Sequence, residues 1–451
     1  MSATDIIFEP LEFRNLTVGN RLLRGPLTGR MDHYDGTGTD VRINFEAKYA
    51  RSGVGAIISA HAPVHVRGIL NPGVATIERD DRIPFWRELV GRVHEHGCPY
   101  IIQLVFSGRQ REVVHLLQYE TGLSSTEKAE PLRGSACKQM TKEQIAAVVD
   151  AFGQAARRAR EAGADGIEIH GANGFVVTQF LSKAINERTD EYGGSLENRA
   201  RLAIEIVQEI RRQVGDDYHV QFKISAVERV RELYPWRREG NSLEDSIQVC
   251  KWLEDAGVDA FHISTGTSFP HPRMPPGGFP AEDVALVWDT FSERRLFGTL
   301  FLRTPLRKLF QGWWEKFARG KEEGILLADA LGVKRAVGVP VICAGGFQTA
   351  SVIRDAIEGG ACDAVSMARP LLANPELPKM FAAGLDRAAK PCTYSNKCVI
   401  NFMSHPVGCY DETRYASREE MIGEIMSLYD LAADGRPRET QLAADSQDDL
   451  A

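Results

Sequence analysis

The chain has 451 residues, 43% hydrophobic and 25% charged, with a formal net charge of −7. That balance suits a globular protein of one large α/β domain or a few smaller ones, and it offers no basic footprint for nucleic acid. The N-terminal "MSATDIIFEPLEF" is short and acidic and no run of about 20 apolar residues follows it, so neither a membrane span nor export is expected and the expected location is the cytoplasm. The eight cysteines (98, 137, 250, 343, 362, 392, 398 and 409) are scattered, mostly in apolar runs, as in a reducing compartment.

Eight short apolar runs follow in chain order, at 22–26, 55–60, 99–104, 165–170, 219–225, 259–264, 339–345 and 363–369. They are continuous rather than alternating, the pattern of parallel strands covered on both faces. Amphipathic helices separate them. One opens with Thr141 and Gln144 at capping-box spacing and closes at Gly163. Another has Ser195 as its N-cap and repeats Ala203, Val207, Ile210 and Val214 on one face. Eight strand–helix units predict a (β/α)₈ TIM barrel over residues 1–415 with a C-terminal extension. The rival, a doubly wound open sheet, lacks its Gly-rich turn, since "LLRGPLTGRMD" carries no such pattern.

Two connections are too long for plain loops: about 106–140 after strand three and about 265–323 after strand six. The second, basic and Trp-containing, is expected as a lid or a subunit contact, compatible with a homo-oligomer, ahead of a membrane-surface contact. Residues 416–451 are expected to be a helical then disordered polar tail, disorder starting near 433.

Barrels place function at the C-terminal ends of their strands. There the chain offers Pro26, Leu27 and Thr28, then Ala60, Gln103, His170 with Asn173, Lys223, Gly345–Gly346 and Ala368–Arg369. The glycine pair and the arginine on the neighbouring strand predict a phosphate site. Gln103 as donor and acceptor, with Lys223 as a buried cation, suits a flavin, whose reduced ring is anionic. Lys223 could instead pair with Glu168, or serve as the Schiff-base nucleophile of a non-redox lyase or aldolase.

The stretch "GADGIEIHGANGFVVTQFLSKAINERTDEYGGSLENRARL" resembles the strand-four signature of the Old Yellow Enzyme family, and "NRLLRGPLTGR", "QLVFSGR", "VPVICAGGF" and "SMARPLLANPELP" resemble its other landmarks in order. The resemblance spans about residues 6–410 and implies an FMN-bearing barrel that takes hydride from NADH or NADPH. It implies delivery to a small electrophilic molecule, foremost an α,β-unsaturated carbonyl. By the same resemblance Pro26–Thr28 and Ala60 line the flavin, Gln103 bonds its pyrimidine edge and Lys223 stands near N1. Gly345, Gly346, Ala368 and Arg369 hold the phosphate, and His170 and Asn173 donate to the substrate's carbonyl oxygen.

Two positions depart from the pattern. Phe175 stands where the family has a proton-donating Tyr, and phenylalanine has no proton to give. Either another group, with Tyr34 a candidate beside Phe175 at the substrate, replaces it, or the acceptor needs none, as quinones, nitro compounds and O₂ do not. A flavin-binding protein impaired in catalysis is the remaining reading. Related members with an iron–sulfur cluster carry four cysteines where this chain has Cys392, Ser395, Cys398 and Cys409; a hydroxyl is a poor cluster ligand, so no metal is expected and the three thiols are read as structural.

Overall fold

The computed structural model describes residues 5–111 and 121–436, the side chain of Phe291 excepted. Eight strands close a parallel barrel: β1 (Leu22–Arg24), β2 (Ala56–Pro63), β3 (Tyr100–Val105), β4 (Gly166–Gly171), β5 (His219–Val227), β6 (Ala260–Thr265), β7 (Val341–Ala344) and β8 (Ala364–Met367). Each pairs with the next in chain order and β8 pairs with β1. These are the eight apolar runs read from the sequence. The TIM-barrel expectation holds.

The strands are continuous in hydrophobicity because both faces are covered. Outward residues such as Ile102, Ile167, Val220 and Phe261 pack against the helical ring, including Ile145, Phe152, Ala203, Val207 and Ile210. Each such side chain contributes about 1.5–3 kcal/mol on burial. The helix Lys142–Glu161 begins at the Thr141/Gln144 capping box, and Ser195 caps Leu196–Val214 by accepting from the Asn198 N–H. The N-terminal hairpin, Leu11–Glu12 with Thr17–Val18, plugs the lower end of the barrel. Its Leu11, Phe13 and Val18 meet Leu23, Ala56, Ala260, Ile342 and Ala364.

Both insertions leave the upper end. The first holds a small parallel pair, Gly122–Ser124 with Cys137–Gln139; residues 112–120 lie outside the described residues. The second builds a helical module from Ala281–Phe291, Arg295–Leu302 and Arg307–Glu315. Phe279, Val284, Trp288, Leu302 and Trp314 form its own core, closed by Ile400 and Met403. Beyond residue 415 the helix Arg418–Met426 follows, and the Asn44 amide donates to the Ala432 carbonyl at 2.8 Å, tying this stretch to the barrel. The expected disordered tail falls largely on 437–451, outside the described residues. Among the described residues no helix is long and apolar enough to cross a membrane.

Candidate functional site

A cavity of about 1380 Å³, part of it open to solvent, occupies the mouth of the barrel. Of the residues singled out from the sequence, Pro26, Leu27, Thr28, Gln103, His170, Asn173, Phe175, Lys223, Gly345, Gly346, Ala368 and Arg369 all line it. Ala60 and Tyr34 do not. Pairing of β2 with β3 runs Ile58↔Ile101 and then His61↔Gln103, so β2 carries one extra residue. Such a bulge re-aims the side chains beyond it. Ala60 therefore faces a small separate cavity with Arg42, Glu46 and Tyr100, and His61 takes the place in the main one. Tyr34 is 55% exposed in a loop outside the cavity.

Beneath the mouth lies a buried polar layer. Glu168 of β4 accepts from Gln103 Nε2 and Gln221 Nε2, each at 2.6 Å, and from His262 Nδ1 at 2.8 Å. Burial raises its pKa, but the charge and hydrogen bond of His262, with Lys223 and Gln103 behind them, outweigh that and hold it ionised. The sequence left open an ion pair between Lys223 and Glu168. It does not form: Lys223, 7% exposed, makes no hydrogen bond or ion pair among the described residues and its ammonium faces the cavity. Burial draws its pKa down, and the more distant Glu168 draws it up. One Gln103 amide hydrogen is taken by Glu168, which leaves the other hydrogen and the carbonyl oxygen of this cavity-lining side chain unengaged among the described residues.

On the far side, Gly345 and Gly346 carry φ of 144° and 74°. A Cβ on Gly346 would stand 2.4 Å from the Glu322 carbonyl oxygen, so only glycine fits there. Arg369 follows β8; its Nη1 donates to the Pro276 carbonyl at 2.7 Å and to Asn396, and its guanidinium lies over Tyr394 at 5.3 Å. The Tyr394 hydroxyl in turn donates to the Gly346 carbonyl. Backbone amides beside a fixed guanidinium suit a phosphate.

The "HGANGF" turn is made by two consecutive left-handed residues, Asn173 (φ 58°) and Gly174 (φ 83°). A Cβ on Gly174 would meet the Thr267 carbonyl at 2.0 Å. His170 Nδ1 accepts from the Ala172 N–H at 3.4 Å, which puts the ring proton on Nε2. Burial first, then Lys223, His61 and His262, hold its pKa well below the ordinary value, so the ring is a neutral donor. Asn173 behaves differently from its expected pairing with His170. Its Nδ2 donates to Ser264 Oγ at 3.0 Å and to the Thr265 carbonyl at 2.9 Å, so both amide hydrogens are engaged by β6. Phe175 packs edge-on to His170 with ring centroids 4.6 Å apart.

Cys392, Ser395, Cys398 and Cys409 line a second small cavity with Arg369 and Arg414. Burial pushes the Cys398 thiol up to about 12 and raises Cys409. Three thiols and one hydroxyl do not match the four thiolates an iron–sulfur centre takes. Among the described residues no three His, Cys, Asp or Glu side chains gather as a metal site.

Sequence reasoning missed His61, Leu70, Phe269, Met274, Phe402 and Met403, which also line the cavity. His61 was legible only through the bulge. Leu70 lies in the loop after β2, and the others come from the second insertion and the C-terminal extension, where no strand marks a position.

The chain matches the NADH:flavin oxidoreductase / NADH oxidase family over residues 6–271. It is 29% identical over 434 residues to an NADH oxidase of Thermoanaerobacter brockii, covering 91% of this chain and 58% of that one. It is 36% identical over 267 residues to an NADPH dehydrogenase of Halalkalibacterium halodurans, covering 59% and 75% respectively. A solved 2-naphthoyl-CoA reductase complex shares the fold with a TM-score of 0.75 and 25% identity, covering 90% of this chain and 56% of that one. The chain thus spans little more than half the length of several curated relatives, 58%, 54% and 53% of three of them. A buried cation without an ion pair among the described residues, an acceptor oxygen and a glycine pair beside an arginine gather in one barrel mouth, groups that suit an isoalloxazine with a phosphate tail. The chain belongs to the NADH:flavin oxidoreductase / NADH oxidase family as an Old Yellow Enzyme-like member, and its cofactor is FMN.

Proposed function

We propose that this protein is an FMN-dependent NAD(P)H oxidoreductase that reduces an electron-poor acceptor, foremost the alkene of an α,β-unsaturated carbonyl. Bound FMN supplies the hydride and electron chemistry. Pro26, Leu27 and Thr28 would flank its ring, with Gln103 receiving the imide N–H and Lys223 offsetting charge that accumulates on reduction. Gly345, Gly346, Ala368 and Arg369 would hold its phosphate.

The observation that carries the reading is His170, a neutral Nε2–H donor facing the cavity at a position paired in register with Lys223. A donor aimed at a carbonyl oxygen stabilises the enolate-like charge that forms as the β-carbon takes hydride. Asn173, both hydrogens engaged by β6, would act chiefly by holding the turn that presents His170. Phe175 favours acceptors that need no protein-borne proton, so quinones and nitro compounds form the second group.

The test is anaerobic reduction with NADH and with NADPH, followed by reoxidation of the flavin with enones, quinones and nitro compounds in turn. His170→Ala should slow enone reduction about 100- to 1000-fold and keep FMN bound. Full enone activity in that variant would refute the assignment. Borohydride trapping of substrate on Lys223, in a protein that takes up no flavin, would establish the lyase reading instead.

A further inference from the structure

His61 entered the cavity because of the bulge in β2, and it is bonded to a residue of the cofactor wall: Thr28 Oγ1 and His61 Nδ1 are 2.9 Å apart. The imidazole is 6% exposed. Its other nitrogen, Nε2, is buried and has no hydrogen-bond partner among the described residues. Phe175 stands 6.3 Å away, centroid to centroid, so an apolar ring and no hydroxyl occupies that side.

Two arrangements of hydrogens satisfy the Thr28–His61 bond. If the ring proton sits on Nε2, a buried N–H is orphaned and the Thr28 hydroxyl must donate backwards to Nδ1. The cavity then meets only the hydroxyl's lone pairs. If the proton sits on Nδ1, it is satisfied by Thr28 Oγ1 and only a lone pair is orphaned at Nε2. Buried donors without acceptors are the rarer and costlier defect. The second arrangement also frees the hydrogen of Thr28.

We propose that His61 is a positioning residue that donates from Nδ1 to Thr28 and so fixes the Thr28 hydroxyl as a hydrogen-bond donor into the cofactor cavity. The ring stays neutral, burial having pushed its pKa down to about 3, so this orientation does not change over the physiological range. A donor in the wall favours the electron-rich, reduced form of whatever it faces. The inference rests on the FMN reading, since its consequence is a higher flavin potential.

Two measurements on the holoenzyme test it. Nitrogen NMR of the His61 ring identifies the protonated atom; Nδ1 is expected, and a proton on Nε2 overturns the proposal. Flavin midpoint potentials are then compared for the wild type, Thr28→Val, His61→Leu, the double variant and His61→Asn. One hydrogen bond to the ring is worth about a tenfold change in the reduction equilibrium, or about 30 mV for two electrons. Thr28→Val should lose that tenfold, His61→Leu most of it, and the double variant no more than Thr28→Val alone. His61→Asn, which keeps a donor toward Thr28, should recover at least half. Should His61→Leu not fold, Thr28→Val and His61→Asn still decide. A wild-type potential in Thr28→Val, or full loss in His61→Asn, overturns the proposal. A yellow protein whose potential ignores His61 sinks this inference alone; a colourless protein that takes up no FMN sinks the cofactor reading with it.

Discussion

Lys223→Met separates a cofactor-serving cation from a structural one. The side chain is 7% exposed and makes no ion pair, and burial pulls its pKa below the ordinary 10.5 against the weaker pull of Glu168. A group depressed in this way penalises the folded state at neutral pH, and the penalty lifts only as the pH climbs toward the unfolded value. Leaving a buried charge unpartnered costs about 1–3 kcal/mol. Methionine fills nearly the same volume without that cost. The cofactor-free variant should therefore resist urea better than the cofactor-free wild type, by about 1–3 kcal/mol. Reduced FMN should behave oppositely. A cation about 4 Å from an anionic ring at an effective dielectric near 20 is worth at most about 4 kcal/mol. Half of that corresponds to about a 30-fold loss of affinity for reduced FMN, with oxidised FMN much less affected. Urea melts of the flavin-free proteins and titrations with FMN in both redox states give the three numbers. A destabilised flavin-free variant, or equal loss for both redox states, would refute the reasoning.

Other outcomes follow from the same geometry. Burial pushes His61 and His271 down to about 3 and His170 well below its usual value, so their contribution to stability is complete above about pH 6.5 and lost as the pH falls. Glu228, pushed up to about 7 by burial, titrates with the opposite sign and offsets one of them. Unfolding should take up a number of protons that rises from below about one at pH 6.5 to about two near pH 5, seen as a falling urea midpoint; a flat profile would contradict the burial of these rings. Gly346→Ala should cost about 1–3 kcal/mol through its left-handed backbone and more through the Glu322 carbonyl, and should release FMN. Gly53→Ala, also left-handed but in open space, should lose only the backbone part and keep its flavin. Phe175→Tyr should raise enone turnover, a positioned general acid being worth about 100-fold or more, and leave quinone reduction unchanged. Equal effects on both acceptors would show that the missing proton donor is not what limits this enzyme.

Much of this was legible in the sequence because of how barrels are built. A strand covered on both faces has to be apolar throughout, so the eight runs stood out without any alternation to read. Strand ends then gave the cavity residues directly. The assignment failed by one place at Ala60, because a bulge is a register defect and leaves no mark in an apolar run. Asn173 was read as a free donor, and its engagement by Ser264 and Thr265 depends on β6, some ninety residues away. Residues 265–323 read as a lid or a subunit contact from their length and their aromatic residues. That it would bring Ile400 and Met403 into a separate core could not be read, since no periodicity links the two segments. Tyr34 failed for a plainer reason: nothing in a loop sequence says which way a side chain turns.

The polar layer under the cavity explains why the cation is free at all. Glu168 is fully buried and ionised, and a buried carboxylate is tolerated only when its oxygens are bonded. Three neutral or weakly basic donors from β3, β5 and β6 already satisfy it, so Lys223 is not needed as its partner. The carboxylate is near enough to moderate the cost of burying the ammonium, yet it leaves the ammonium's hydrogens to the cavity. The pairing of His170 with Lys223 across β4 and β5 adds a second effect. Beside the larger effect of burial, the same positive charge disfavours a second cation on the neighbouring imidazole, so His170 remains neutral. One buried carboxylate, saturated by amides and a histidine, thereby permits both the cation and the uncharged hydrogen-bond donor in the barrel mouth.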